Sequence, residues 1–427
     1  MRHAGAAPRY AVTTFGCRVN QADSLQLELQ LRARGATPAP VAEADVVVVN
    51  SCSVTAAADQ GVRQALRRAA RENPGARVVA TGCYATRAGE EIAGLPGAPE
   101  VVPNDEKETL VERLLPGAET TADRFGDGSG PCGALVTPAS IGRVAFMLRV
   151  QTGCDEACSY CIIPTTRGRG RSLDHGRVLA ALGHAAESGF HEVVLNGVHL
   201  GSYGRDLDPP STLTALLRAI DGHPSDVTCR ISSLEPMDCP PELVDLVAAS
   251  GRFAPHFHLP LQHASDRMLR RMRRPYTLDR YRRVVDRVRE RMPHAGIGAD
   301  LIAGFPGEGD EDARLTLDYV ASSPLTYLHV FPWSPREGTE ACGLPDRVPG
   351  PVVRERARAL RDAGARLARR FRERQVGAVR PGLTLDGGAV VATDNYLKVP
   401  VPPVGAANRR VRVRITAADP LAGVPVS

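Results

Sequence analysis

Lysine is almost missing from this chain. Only Lys107 and Lys398 occur in 427 residues, so arginine carries nearly all the positive charge. With Ala, Gly and Pro so abundant beside it, this bias reads as genome base composition, and it strips a single arginine of value as a sign of RNA binding. Long apolar runs are also missing: no stretch approaches the roughly 18 residues of a membrane span, which excludes a helical membrane anchor. The opening MRHAGAAPRY lacks the apolar core of a secretory signal, so the chain is expected to be cytoplasmic. There is no internal repeat. The paired C-x2-C…C-x2-C layout of a zinc ribbon is absent too. Ten cysteines in a long, cytosolic-looking chain therefore point to metal rather than to a disulfide framework.

What is present is ordinary for a folded protein: 43% hydrophobic and 24% charged residues, at a length suited to about three domains. A net charge of +5 and a pI near 8.7 permit nucleic acid as a partner without demanding it.

Residues Gln151 to Gly170, QTGCDEACSYCIIPTTRGRG, hold Cys154, Cys158 and Cys161 in the spacing C-x3-C-x2-C. Three thiolates on one tight loop can hold three irons of a cubane [4Fe-4S] cluster, whereas an electron-transfer cluster takes four. No fourth cysteine follows nearby; the next is Cys229. A missing ligand leaves one iron open to a substrate or cofactor, as at a catalytic zinc. Tyr160, just before the last cysteine, is an aromatic on which a purine can stack. The plainer readings are a zinc loop or three free core thiols.

The first region alternates β-rich runs, Tyr10–Phe15, Asp45–Asn50, Arg77–Thr81 and Glu100–Pro103, with helical patterns at Gln21–Arg34, Ala56–Glu72 and Arg87–Ala93. That alternation predicts a parallel α/β sheet. Cys17, Cys52 and Cys83 each follow one of the runs, beside the small residues Gly16, Ser51 and Gly82. In an open parallel sheet the carboxyl ends of the strands share one edge, where ligands bind. The three cysteines are thus expected to converge into a second three-thiol site, its charge favoured by the helix N-termini that follow. Three separately buried thiols are the plain alternative.

Pro116 to Arg143 is rich in Gly, Ser, Pro and Asp and reads as a linker; Cys132 within it has no partner spacing. Six further strand patterns follow, AFMLRVQ, HEVVLNG, VTCRISS, HFHLPLQ, GIGADLIAGF and LTYLHVF, separated by helical ones. They predict a partial (β/α)6 barrel open at the strands' C-terminal ends, the end at which barrels carry their chemistry. Strand-end polar residues there include Asn196, Ser232, Ser233, Glu235 and Gln262. Glu235 and Gln262 either face a ligand or satisfy buried backbone. No metal-ligand spacing pairs His258 with His263, which reads both as structural. The Arg-dense stretch Arg267–Arg291 is either a solvated helical face or the wall of an RNA groove.

Val352–Arg374 is a charged, Arg-rich helical pattern, and 376–427 reads as short strands in a small β-barrel, a module often used on RNA. From Val352 to Ser427 there are 15 Lys and Arg against 6 Asp and Glu, about +9, which leaves about −4 for the rest of the chain. In a strand, Arg410, Arg412 and Arg414 share one face, opposite Val411, Val413 and Ile415, and so present charge to phosphate.

The C-x3-C-x2-C loop resembles that of the radical S-adenosylmethionine (SAM) superfamily. Together with FGCRVNQADS, NSCSVT, TGCYA, HLGSYG, SSLEP, HLPLQ, ADLIAGFPGE and HVFPWSPREGT, it resembles one family, the SAM-dependent methylthiotransferases, over essentially the whole chain. The resemblance implies an N-terminal methylthiotransferase domain at 1–116, a linker at 117–143, a radical SAM core at 144–350, a basic connecting helix at 351–375 and a TRAM-like module at 376–427. It implies two [4Fe-4S] clusters. Cys154, Cys158 and Cys161 would hold the one that binds and reductively cleaves SAM. Cys17, Cys52 and Cys83 would hold an auxiliary one that carries sulfur. Around SAM the resemblance places Tyr160, Asn196, Gly197, Glu235, Gln262 and the adenine loop with Gly304, Pro306 and Gly307. Beyond the cluster-bound cofactors it implies no catalytic side chain, and tRNA contact falls to Arg410, Arg412 and Arg414.

GCRVNQADS, NSCSVT and HLGSYG look most like the branch that acts on N6-threonylcarbamoyladenosine beside the tRNA anticodon. A ribosomal-protein methylthiotransferase and a non-catalytic iron–sulfur RNA-binding protein are the alternatives. The implied partners are tRNA, a flavodoxin- or ferredoxin-like electron donor and a sulfur donor. The sequence departs from the family at Thr152, where Asp is common, and in PTTRGRG after the cluster.

Overall fold

The computed structural model describes residues 7–116, 138 and 144–426. The linker expected at 117–143, with Cys132, lies outside the described residues but for Pro138. Two compact units divide the chain. The first comprises Met1–Val136 with Thr152–Glu156 and Cys161–Arg171; the second comprises Thr137–Gln151, Ala157–Tyr160 and Ser172–Ser427.

In the first unit the strands Arg9–Thr14, Val46–Ser51, Arg77–Gly82 and Glu100–Val102 form a parallel sheet, with the short Thr37–Pro38 strand at the edge beside Arg9–Thr14. That edge strand is too short to show a period and was not expected from sequence. The central strand, VVVVNS, is buried throughout, as a strand covered on both faces must be. Val47 and Val49 pack against Val62, Leu66 and Ala69, the apolar stripe of the Ala56–Glu72 helix, while Val46 and Val48 pack with Leu27 and Leu31 on the other side. Each such buried side chain contributes about 1.5–3 kcal/mol. Thr55 starts the Ala56–Glu72 helix by accepting from the Ala58 N–H at 3.2 Å. The helix expected at Arg87–Ala93 is instead two short ones, Cys83–Arg87 and Gly89–Ala93, broken at Ala88.

The second unit holds the six expected barrel strands: Phe146–Arg149, Glu192–Asn196, Thr228–Ile231, His256–His258, Gly296–Ala303 and Tyr327–Pro332. They pair in parallel as two three-stranded sheets, joined by the Ser233–His258 bridge. The result is a partial barrel. The Gly350–Gln375 helix packs Ala357, Leu360, Ala363, Leu367 and Phe371 inward and leads into a five-stranded antiparallel sheet. The run TLDGGAVVAT, expected as one strand, turns at Asp386–Gly388 and supplies parts of two, Val379–Leu385 and Val390–Thr393. Gly387 and Gly388 take positive φ at that turn, which is what glycine allows. Leu421–Val426, also unexpected, completes the sheet. It comes close enough to Lys398–Pro400 that a Cβ on Gly423 would lie 2.8 Å from Val399, so the sheet nearly closes on itself.

Candidate metal centres

In the first unit three strands deliver cysteines to one edge. Thr14 is level with Asn50, and Ser51 with Gly82, so Cys17, Cys52 and Cys83 leave the sheet at nearly the same height. Cys17 is the N-cap of the Arg18–Ala33 helix, and Cys83 opens the Cys83–Arg87 helix. Gly16, at φ +91°, lies so close to Cys52 that a Cβ there would sit 2.3 Å from its Sγ. Gly82, at φ +96°, leaves no room either: its Cβ would meet the Ser51 carbonyl at 2.3 Å. Burial pushes the Cys52 thiol up to about 12, with the Cys17 and Cys83 sulfurs adding to it. Three thiols brought to one sheet edge beside small residues suit a cation-rich cluster, which would bind them as thiolates.

Beneath them lies a buried polar network. The Asp23 carboxylate accepts from Lys107 Nζ at 3.0 Å and from Arg167 Nη2 at 2.9 Å. Arg167 Nη2 also donates to Asn20 Oδ1, and Lys107 Nζ to Asn50 Oδ1 at 3.1 Å. Burial works against the Arg167 charge, but Asp23 and the Cys83 and Cys17 sulfurs outweigh it, so its pKa lies above the ordinary value. Burial lowers that of Lys107, with Asp23 and Cys83 opposing. Asn104 Nδ2 lies 3.7 Å from Cys83 Sγ and donates to the Thr166 carbonyl at 2.8 Å. None of Asp23, Lys107 or Arg167 was picked out from sequence. One signal was available: in a chain that writes arginine almost everywhere, a lysine is the exception.

Cys154, Cys158 and Cys161 are half-buried on one irregular stretch of chain. Gly153, at φ +73°, turns that stretch where any Cβ would strike the Arg169 carbonyl at 1.8 Å. The Glu156 N–H donates to Cys154 Sγ at 3.4 Å. Thr152, the departure noted from sequence, accepts from Arg167 Nη1 at 3.3 Å. In the second unit Arg274 Nη1 donates to Cys158 Sγ at 3.0 Å, and the same guanidinium pairs with Glu235. Burial raises the Glu235 pKa, with Arg274 opposing. Arg274 was invisible among the arginines of its segment. Most of the others spend their charge on the protein itself, Arg267 on Asp312, Arg283 on Asp279, Arg287 and Arg291 on Asp245.

The remaining expected ligand residues fall as follows. Asn196 is fully buried, and its Oδ1 makes no hydrogen bond, an orphaned acceptor at a strand's C-terminal end. A Cβ on Gly197 would meet Leu200 Cα at 2.9 Å. Gln262 holds a left-handed φ of +65° while its backbone bridges to the Gly296–Ala303 strand. Tyr160 packs edge-on to Phe305 at 6.3 Å, beside Met268 and Met272. Gly304 and Gly307, at φ +77° and +83°, approach Val353 and the Arg271 side chain, and the Pro306 carbonyl accepts from Arg271 Nε at 2.8 Å. The close approach seen at these glycines is thus to the chain's own side chains.

His258 is not isolated: it and His329 both contact Asp300 Oδ1, at 2.9 and 3.1 Å, and Tyr327 O–H lies 3.1 Å from His258 Nδ1. Three neighbouring strands supply this group, which no sequence spacing reveals. His263 is buried on Ser265, Thr316 and Glu308. Arg410, Arg412 and Arg414 are exposed and alternate with Val411, Val413 and Ile415. Arg410 is tied to Asp226, Arg414 reaches the Gly377 carbonyl at 3.3 Å, and among the described residues the Arg412 guanidinium makes no hydrogen bond or ion pair.

Residues 148–320 match the radical SAM superfamily, and residues 9–102 match a family described as uncharacterized protein family UPF0004. Threonylcarbamoyladenosine tRNA methylthiotransferase MtaB of Aquifex aeolicus is 34% identical over 95% of this chain and 100% of its own. The chain belongs to the radical SAM methylthiotransferase family. The Bacillus subtilis MtaB is 31% identical over 91% of this chain and 89% of its own. The tRNA-2-methylthio-N(6)-dimethylallyladenosine synthase of Paenarthrobacter aurescens is 32% identical over 88% of this chain and 74% of its own. Among solved structures, the radical SAM methyltransferase TsrM of Kitasatospora setae, with cobalamin and a [4Fe-4S] cluster bound, superposes with a TM-score of 0.55 at 16% identity, over 79% of this chain and 74% of that one. That likeness speaks for the fold. Membership of the methylthiotransferase family makes this chain an enzyme that uses SAM and iron–sulfur clusters. Among those residues no helix is long and apolar enough to cross a membrane.

Proposed function

We propose that this methylthiotransferase adds a methylthio group to C2 of N6-threonylcarbamoyladenosine at position 37 of tRNA, in the cytoplasm. The observation that carries the reading is the pair of three-thiol sites: one assembled from three strand ends, the other written on one loop. A [4Fe-4S] cluster with SAM at its open iron supplies one-electron chemistry, which reaches a C–H bond beyond any side-chain base. Cys154, Cys158 and Cys161 would hold that cluster, and Cys17, Cys52 and Cys83 a second one that bears sulfur. The protein's own part is to bind and orient. The buried, unpartnered Asn196 Oδ1 suits an N–H donor such as the SAM amino group. Arg274, fixed by Glu235 and donating to Cys158, stabilises thiolate there. Phosphate contact falls to Arg412 and Arg414, with Arg410 joining once released from Asp226. An electron donor of flavodoxin or ferredoxin type and a separate sulfur donor complete the scheme.

Relatives named for dimethylallyladenosine are nearly as similar, which supports a second reading with that nucleoside as substrate. Mass spectrometry of tRNA nucleosides, from cells with and without the gene, separates the two. The proposal expects the methylthio form of threonylcarbamoyladenosine to vanish while that of dimethylallyladenosine persists; the reverse pattern overturns it.

A further inference from the structure

The polar network under Cys17, Cys52 and Cys83 carries more positive charge than it needs for itself. Asp23 is a single carboxylate shared by two cations, Lys107 and Arg167, and all three side chains are buried. Arg87 pairs with Asp59 at 2.9 Å at the same edge. Within the group of Asp23, Lys107 and Arg167 the surplus is one cation. A buried charge without a counter-charge is costly, so the arrangement asks for negative charge beyond Asp23, of the kind that the Cys17 and Cys83 sulfurs offer as thiolates. A second observation points the same way. The Nε–H of Arg167 is buried and has no hydrogen-bond partner, although both Nη atoms are engaged. An arginine whose donors are incompletely used, under three convergent sulfurs, is arranged for something besides Asp23.

We propose that Arg167 and Lys107 are positioning residues that form a cationic floor under the second cluster, balancing the charge of its thiolates and of an anionic sulfur on its open iron and holding its reduction potential up. The inference rests on the cluster assignment made above. Its physical basis is simple. Core and thiolates together are anionic, a sulfur anion adds to that, and reduction adds one electron more. A fixed cation nearby favours the reduced, more negative state, and charge around a cluster is one of the terms that set its potential. Arg167 stands at the end of the short Ile163–Arg167 helix that follows Cys161. The segment that leaves the first cysteine loop thus supplies part of the floor of the second site.

The test uses the full chain with Cys154, Cys158 and Cys161 changed to Ala, so that only the second cluster reports. Reconstituted anaerobically, it should carry about four irons, and a redox titration followed by electron paramagnetic resonance gives the midpoint. Arg167→Gln is expected to move the midpoint to more negative values and Arg167→Lys to return most of the shift. Asp23→Asn, which removes the anion and enlarges the surplus, is expected to move it the opposite way. A purely structural network gives no such reversal of sign. Unchanged midpoints, or shifts of the same sign for Arg167→Gln and Asp23→Asn at full iron content, overturn the proposal. Should Arg167→Gln fail to retain iron, Lys107→Met replaces it and the opposed signs remain the criterion. Absence of any cluster in the parent chain is a different result: it removes the cluster assignment itself.

Discussion

At the scale of single residues, charge placement separates the arginines that matter from those that composition supplied. Arg274 is buried and bound to Glu235 and Cys158. Arg274→Met leaves the half-buried Glu235 without its counter-charge, which costs about 1–3 kcal/mol. Chemical denaturation is expected to show that loss, with most of it recovered in the double variant Arg274→Met, Glu235→Gln. A second residue prediction concerns pH. Burial alone would raise the Asp312 carboxyl, but hydrogen bonds from Arg267, Ser265 and the Gly309 N–H outweigh it and hold it at about 2. Its folded-state pKa is thus depressed. Its stabilisation is complete above about pH 4, the ordinary carboxylate range, and fades as pH falls through about 2. Asp312→Asn should therefore unfold at lower denaturant than the parent at neutral pH, and the gap should close toward pH 2 in the iron-free chain. A gap that persists undiminished there would mean that the carboxylate charge is not its source.

Among elements, the turn between Val390–Thr393 and Lys398–Pro400 does more than join two strands. It reaches the N-terminal part of the barrel strands, away from the end where Asn196 lies. Asn395 Nδ2 donates to the His294 carbonyl at 3.0 Å, and Arg230 donates to the Asp394 carbonyl at 2.9 Å. Tyr396 lies tilted against His256, ring centroids 4.3 Å apart, and Gly296 is glycine because the Asn395 carbonyl occupies the space of a Cβ. Asn395→Ala strands the His294 carbonyl and the Gln375 Oε1 and is expected to lower stability by about 1–3 kcal/mol, as thermal unfolding can measure. The same contacts predict that removing residues 376–427 uncovers the buried Arg230–Glu192 pair and destabilises the barrel. Substitution is the cleaner probe of RNA contact. Arg412→Glu with Arg414→Glu should weaken tRNA binding several-fold and flatten its salt dependence. The bare surface alternative predicts no change in affinity for that folded variant.

For the whole molecule, the proposed division of labour between two three-thiol sites is open to direct measurement. Anaerobic reconstitution is expected to give about eight irons per chain, as two cubanes require. Changing Cys154, Cys158 and Cys161 to Ala should leave about half the iron and abolish SAM cleavage. Cys52→Ala should still cleave SAM, read as 5′-deoxyadenosine, but form no methylthio product. Product at the parent rate from Cys52→Ala would break the assignment of the second site to sulfur insertion.

Much of this was legible in one dimension because its causes are local. Six barrel strands announced themselves by runs of β-formers between helical periods, and the C-x3-C-x2-C spacing lies within a single loop. Even the convergence of Cys17, Cys52 and Cys83 could be reasoned out, since parallel strands must end on one edge. Where turns had to be placed the reading slipped, at Asp386–Gly388 and around Ala88, because a break in a run depends on a few backbone angles rather than on a period. What only the tertiary structure decided were the pairings between distant charges: Asp23 with Lys107 and Arg167, Glu235 with Arg274, Asp300 with His258 and His329. In a chain so rich in arginine every such residue looks alike in sequence. Burial is what distinguishes them, because a charge withdrawn from water must find its partner, and that partner is set by the packing of elements far apart in the chain.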